Sequence, residues 1–170
     1  KFLGLALILL TATVILGVSA AVSMQYVLWS YPAFVPPNFS WLTYVMALFS
    51  QWLGLVMVLA VSVFCFSFAS QPFVALLLTA CTYLAGQNME LLRRVVLENA
   101  YAGVLSGRES LVIGLSWIFP NLSLLDKKYA AAYGLAFSGQ ELLLLTGYAL
   151  SYSLLLLWLA AFLFKRKELA

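Results

Sequence analysis

The run Leu142–Phe164, LLLLTGYALSYSLLLLWLAAFLF, carries no charge over 23 residues and is closed by Lys165-Arg166-Lys167. Only Thr146, Gly147, Tyr148, Ser151, Tyr152 and Ser153 interrupt its Leu, Ala, Phe and Trp. As a helix rising ~1.5 Å per residue it reaches ~35 Å, enough to cross a hydrocarbon core of ~30 Å. A Lys or Arg at the centre of a membrane helix costs ~2.5–3.5 kcal/mol, so three in succession belong at or beyond a membrane surface. The stretch reads as a membrane span rather than the core helix of a soluble domain, because the rest of the chain is equally apolar.

Working outward, no charged residue occurs between Lys1 and Glu90. The 170 residues are 65% hydrophobic and 9% charged, against a usual charged fraction of ~25%. A soluble surface needs more charge than that to stay dispersed. The fold class expected is all-α: a polytopic membrane protein forming a single transmembrane domain over 1–170. Four spans are expected, at about 2–29, 41–69, 73–89 and 142–164, with an external helical segment at 90–141.

The first span, Phe2–Trp29, is too long for a secretory signal and is followed by further spans. A chain opening on Lys directly into a helix is expected to be the C-terminal part of a longer protein. Gly17 and Ala21 form a small-xxx-small pair suited to close helix approach. Tyr26, Trp29 and Tyr31 suit an interfacial aromatic belt. Pro32, Pro36 and Pro37 make Ser30–Ser40 a loop, with Asn38 and Ser40 available as caps. Trp41–Ala69 is the second span. Ser70-Gln71-Pro72 is a tight connection, Ser70 a candidate N-cap and Pro72 in the first turn of the next helix, so spans two and three form an antiparallel hairpin.

The character changes at Gln87. Glu90, Arg93, Arg94 and Glu98 fall on a continuation of the third helix, with Glu90–Arg94 and Arg94–Glu98 at i,i+4 spacing. They are either ordinary pairs on a solvated helix end or an ion-paired cluster at the mouth of a cavity. Gly103–Glu109 reads as a turn. Ser110–Phe119, with Trp117 at headgroup depth, is too short to span and reads as an interfacial or re-entrant helix. Leu122–Lys128 is a short connector, and Tyr129–Ser138 a second short amphipathic piece. Glu141 at the start of the last span is either an N-terminal acid favoured by the helix dipole or part of a substrate or proton path.

Composition excludes several function classes. With no His, neither a Ser-His-Asp nor a Cys-His arrangement can form. No G-x-x-x-x-G-K-[ST] loop is present to bind ATP, and no Cys/His/Asp cluster has metal spacing. Cys65 and Cys81 lie in apolar runs and read as small buried hydrophobes. No basic stripe interleaved with aromatics suggests nucleic acid. The chain is therefore not expected to be an enzyme or to carry a cofactor. Four spans put both ends on one side, and the Lys-Arg-Lys tail, directly against a span, places that side in the cytoplasm. The bare cation count runs slightly the other way, with Arg93, Arg94, Arg108, Lys127 and Lys128 outside against Lys1, Lys165, Arg166 and Lys167 inside.

The order of features resembles a family. Lys1-Phe2-Leu3-Gly4 opening a long apolar helix, the hairpin at Ser70-Gln71-Pro72, the segment Ile118-Phe119-Pro120-Asn121-Leu122-Ser123-Leu124-Leu125-Asp126, and the close Phe164-Lys165-Arg166-Lys167-Glu168 are together similar to the C-terminal two-thirds of the permease subunit of a type-2 ABC exporter. Such permeases have six spans; the first two and the cytoplasmic coupling segment have no counterpart in this sequence. The resemblance implies a second permease copy, in a homo- or heterodimer, and a cytoplasmic ATP-binding subunit that holds ATP and Mg. It also implies residence in membrane lipid, in a bacterial inner membrane. Polar positions on apolar spans, Ser19, Ser23, Gln25 and Gln51, would then line a translocation path or make helix–helix hydrogen bonds. The competing reading is a non-transporting structural or anchoring subunit of a membrane complex.

Overall fold

The computed structural model describes residues 2–32, 38–101, 114, 119–135 and 137–168, with backbone alone at 96–101 and 166–168. Five α-helices and one short 3₁₀ turn make up the described structure, and no strand occurs among these residues. The helices are α1 (Phe2–Ser30), α2 (Trp41–Phe68), α3 (Pro72–Tyr101), α4 (Lys128–Tyr133) and α5 (Gly139–Glu168); the 3₁₀ turn is Leu122–Leu125. The all-helical class expected from composition is what forms.

Helix ends follow local chemistry. α1 stops at Ser30, two residues before Pro32, because proline disfavours helical geometry in the residue ahead of it. α2 starts after Ser40, whose carbonyl accepts the Tyr44 N–H at 3.1 Å. Pro72 is the first residue of α3, where its missing N–H costs nothing. The first carbonyl of that helix is Gln71's, accepting from Ala75 N–H at 3.2 Å, so the cap position falls one residue after Ser70. α4 ends on Gly134 at φ 63°, the left-handed conformation that glycine adopts without a Cβ penalty. Ser138 starts α5: its hydroxyl accepts the Glu141 N–H at 3.2 Å and its carbonyl the Leu142 N–H at 3.1 Å.

Three described helices are long and apolar enough to cross a membrane: Phe2–Ser30, Trp41–Phe68 and Gly139–Lys165. α3 is not among them. Its first half is apolar, but Gly86, Gln87 and Asn88 dilute it before the charges from Glu90 onward. It does run unbroken through Glu90, as the i,i+4 spacing implied. The expected turn at Gly103–Glu109 and nearly all of the Ser110–Phe119 helix, including Trp117, lie outside the described residues. The expected connector Leu122–Lys128 is more ordered than a loop: Leu122 and Leu125 of the 3₁₀ turn are both buried.

The chain divides into two compact units, Lys1–Leu59 with Asp126–Ser151, and Ala60–Leu125 with Tyr152–Ala170. In the first unit α1 and the first part of α2 form an antiparallel pair. The Tyr44 hydroxyl donates to the Gly17 carbonyl at 2.7 Å, and the Trp52 indole N–H donates to the Ala6 carbonyl at 3.1 Å. Gly17 makes the approach possible: a Cβ there would lie 2.6 Å from Leu48 Cδ1. This is the close contact that a small residue at position 17 predicts. Leu53, Val56 and Met57 are buried in the same unit. Gly134 also abuts the Asn38 backbone, where a Cβ would stand 2.8 Å from the Asn38 carbonyl carbon. That contact joins the proline loop to the end of α4.

In the second unit the segment around Pro120 seats on α3. A Cβ on Gly86 would come within 2.6 Å of the Pro120 carbonyl oxygen and 3.0 Å of Leu122 Cδ1. Pro120 and Leu125 are almost fully buried, and Ala75, Met89 and Ala160 complete the packed interior.

Candidate functional site

The four polar positions proposed for a path all lie in the first unit. Ser19, Ser23, Gln25 and Gln51 are all exposed. The Ser19 hydroxyl donates to the Leu16 carbonyl at 2.8 Å, and the Ser23 hydroxyl to the Ser19 carbonyl at 3.1 Å. Both bonds stay within α1, a third option beside path lining and interhelical bonding. A Ser in an apolar helix satisfies its own proton this way when no neighbour is offered. Thr11, Thr13, Thr79, Thr82 and Thr146 do the same, each to a carbonyl three or four residues back.

The charges behave differently at two places. Arg94 Nε lies 3.3 Å from Glu90 Oε1, with side-chain exposures of 71% and 37%. A pair that open to solvent is worth ~0.3–0.5 kcal/mol. Arg93 is exposed, and the Glu98 side chain lies outside the described residues. Glu141 is more constrained. Its Oε1 accepts from Lys127 Nζ at 2.5 Å, and the same Nζ stands 5.5 Å from the centre of the Phe137 ring. Lys127 is only 22% exposed. Glu141 thus has a cationic partner, beside its place in the first turn of α5. Next to it Lys128 pairs with Asp126 at 2.5 Å. The two pairs gather four charges within the first unit, just ahead of and at the start of α5.

One concave feature lies wholly in the second unit. It is a cavity of about 590 Å³ whose walls come from α2, α3, α5 and the turn at Phe119-Pro120. Val61, Phe64, Cys65 and Phe68 line it from α2; Tyr152, Leu155, Leu156 and Leu159 from α5; Leu78 and Thr82 from α3. The floor is buried, formed by Val61, Cys65, Leu156 and Pro120. The rim is exposed at Phe68, Leu78 and Leu155. Among the described residues its hydroxyls are those of Thr82 and Tyr152, and Thr82 donates to Leu78 O at 2.8 Å. Such a wall suits an apolar body; its ionisable side chains are the Cys65 thiol and the Tyr152 phenol. Among the described residues no group of His, Cys, Asp or Glu could hold a metal ion.

Sequence reading missed this cavity. Both main walls are i, i+3, i+4, i+7 stripes, 61-64-65-68 on α2 and 152-155-156-159 on α5. In a helix apolar on every side, such a stripe has no polar background to stand against. Searches against protein-family models, curated proteins and solved structures returned no match to this chain.

Proposed function

We propose that this chain is a membrane-spanning permease subunit of an ABC-type transporter, moving a substrate across a membrane with ATP hydrolysed by a separate subunit. The observation that carries the reading is the Pro120-Asn121-Leu122 segment seated on α3 under Gly86. That segment is one of the four whose order carries the family resemblance. A turn buried against a helix is what an external re-entrant element needs if it is to move with its helix. On this reading α3 supplies a fourth span through its apolar half, and the Lys165-Arg166-Lys167 end faces the cytoplasm of a bacterial cell. Two permease copies face each other, and two cytoplasmic ATPase subunits carry ATP and Mg.

The chain's own part in the cycle is mechanical. The α1–α2 pair, tied by Tyr44 and Trp52, moves as one body, because bending it would break two interhelical bonds. ATP-driven closure below is converted into rotation of such bodies above. The test is expression with the genes beside its own and purification through a tag on this chain. An ATPase subunit is expected to co-elute, and ATP hydrolysis to vanish when that subunit is omitted. A chain that elutes alone from gentle detergent, with the tail labelled on the outer face of intact vesicles, rejects the reading in favour of the anchoring subunit.

A further inference from the structure

We infer that the cavity of the second unit is a binding site for one acyl chain of a bilayer phospholipid. It goes beyond the permease reading and does not rest on ATP coupling; it needs only that α2 and α5 lie in a membrane.

Four observations select this occupant. First, a void of about 590 Å³ falls in the ~300–1,000 Å³ range of small-molecule sites and is far larger than the gaps that packed interiors leave empty. Second, water does not fill it. A buried water makes 2–4 hydrogen bonds, and Thr82, whose proton is engaged, Tyr152 and the Cys65 thiol are the wall's only polar side chains. Third, two of the walls belong to α2 and α5, both apolar enough to cross a membrane, and the rim residues Phe68, Leu78 and Leu155 are exposed. The surroundings of the mouth are therefore hydrocarbon, and a lipid tail can enter sideways without meeting charge. Fourth, the walls suit a thread: the two main ones are stripes rising ~10 Å along their helices, against which a flexible chain of methylenes can lie.

The floor places Cys65 and Leu156 where the chain would end. The test reconstitutes the full chain, without any ATPase subunit, in phosphatidylcholine nanodiscs. A small fraction of the lipid carries a photoreactive diazirine near the end of one acyl chain. After illumination, adducts are mapped by mass spectrometry. Adducts are expected at Cys65 and Leu156 on the floor, besides those at Leu154, which is exposed on α5 and reports ordinary bilayer contact. Leu156→Trp fills the floor and Leu78→Trp narrows the exposed rim. Each is expected to lower the floor adducts about tenfold, the loss from excluding about two methylenes, and to leave the Leu154 adduct unchanged. The rim variant changes an exposed residue, so a folding failure in the floor variant leaves the experiment decisive. Adducts at Leu154 with none at Cys65 or Leu156 overturn the proposal, as do floor adducts that persist in Leu78→Trp. Either result stands whether or not the chain proves to be a permease.

Discussion

Gly17 in the first unit and Gly86 in the second each leave room for a neighbour that a Cβ would meet at 2.6 Å. What stands there differs. Beyond Gly17 it is a methyl at the end of the Leu48 side chain; beyond Gly86 it is the backbone carbonyl of Pro120. A leucine can change rotamer. A buried backbone turn, fixed by proline and held by Leu122 and Leu125, has nowhere to go. Where no hydrophobic force acts between helices in lipid, close approach and a few polar bonds hold the structure. The first unit combines a yielding contact with two hydrogen bonds, and the second relies on a rigid one beside an open cavity.

That contrast can be broken most directly at Gly86. Gly86→Ala is expected to cost about 2 kcal/mol, the overpacking of a turn less the helix propensity that alanine returns. Thermal or SDS unfolding in detergent measures it. Gly17→Ala, with the same gain in propensity and a mobile obstacle, should change stability by under ~1 kcal/mol. Equal costs at the two positions would show that the obstacle's identity does not matter. Tyr44→Phe removes one interhelical bond to the Gly17 carbonyl and should cost ~0.6 kcal/mol, with the Gly17→Ala and Tyr44→Phe effects coupled in a double-mutant cycle. The smallest effect sharpens the picture of the second unit. Ser153 is buried there, and its hydroxyl is the one buried side-chain polar atom among the described residues without a hydrogen bond. Ser153→Ala therefore gives up no bond and should be neutral or slightly stabilising.

Legibility followed contrast. α1, α2 and α5 were readable because long uncharged runs leave a helix no other place to be. The hairpin at Ser70 and the close approach at Gly17 were readable because proline and glycine act locally. The start of α5 carried a signal that went unread: Ser138-Gly139-Gln140-Glu141 has the spacing of a capping box, and Ser138 does cap, although the Glu141 carboxylate turns to Lys127 instead. The uncharged length of α3 predicts a span; Gln87 and Asn88 fall inside that length and lower its apolarity, so three helices and not four are long and apolar enough among the described residues. The serines of α1 were less legible, because a hydroxyl on an apolar helix signals need for a partner without saying where the partner is; Ser19 and Ser23 donate to carbonyls of α1 itself. The cavity and the seat of Pro120 on Gly86 depend on residues brought together from separate helices, which no single stretch announces.

The touch of Gly134 on the Asn38 backbone also says something about the order of biosynthesis. The α1–α2 hairpin has both its hydrogen-bonding partners within α1 and α2 themselves. The Asn38 backbone must wait for Gly134, which follows α4. Until α4 has been made, the Asn38 backbone lacks that neighbour, and a chaperone reaching the nascent protein could take its place.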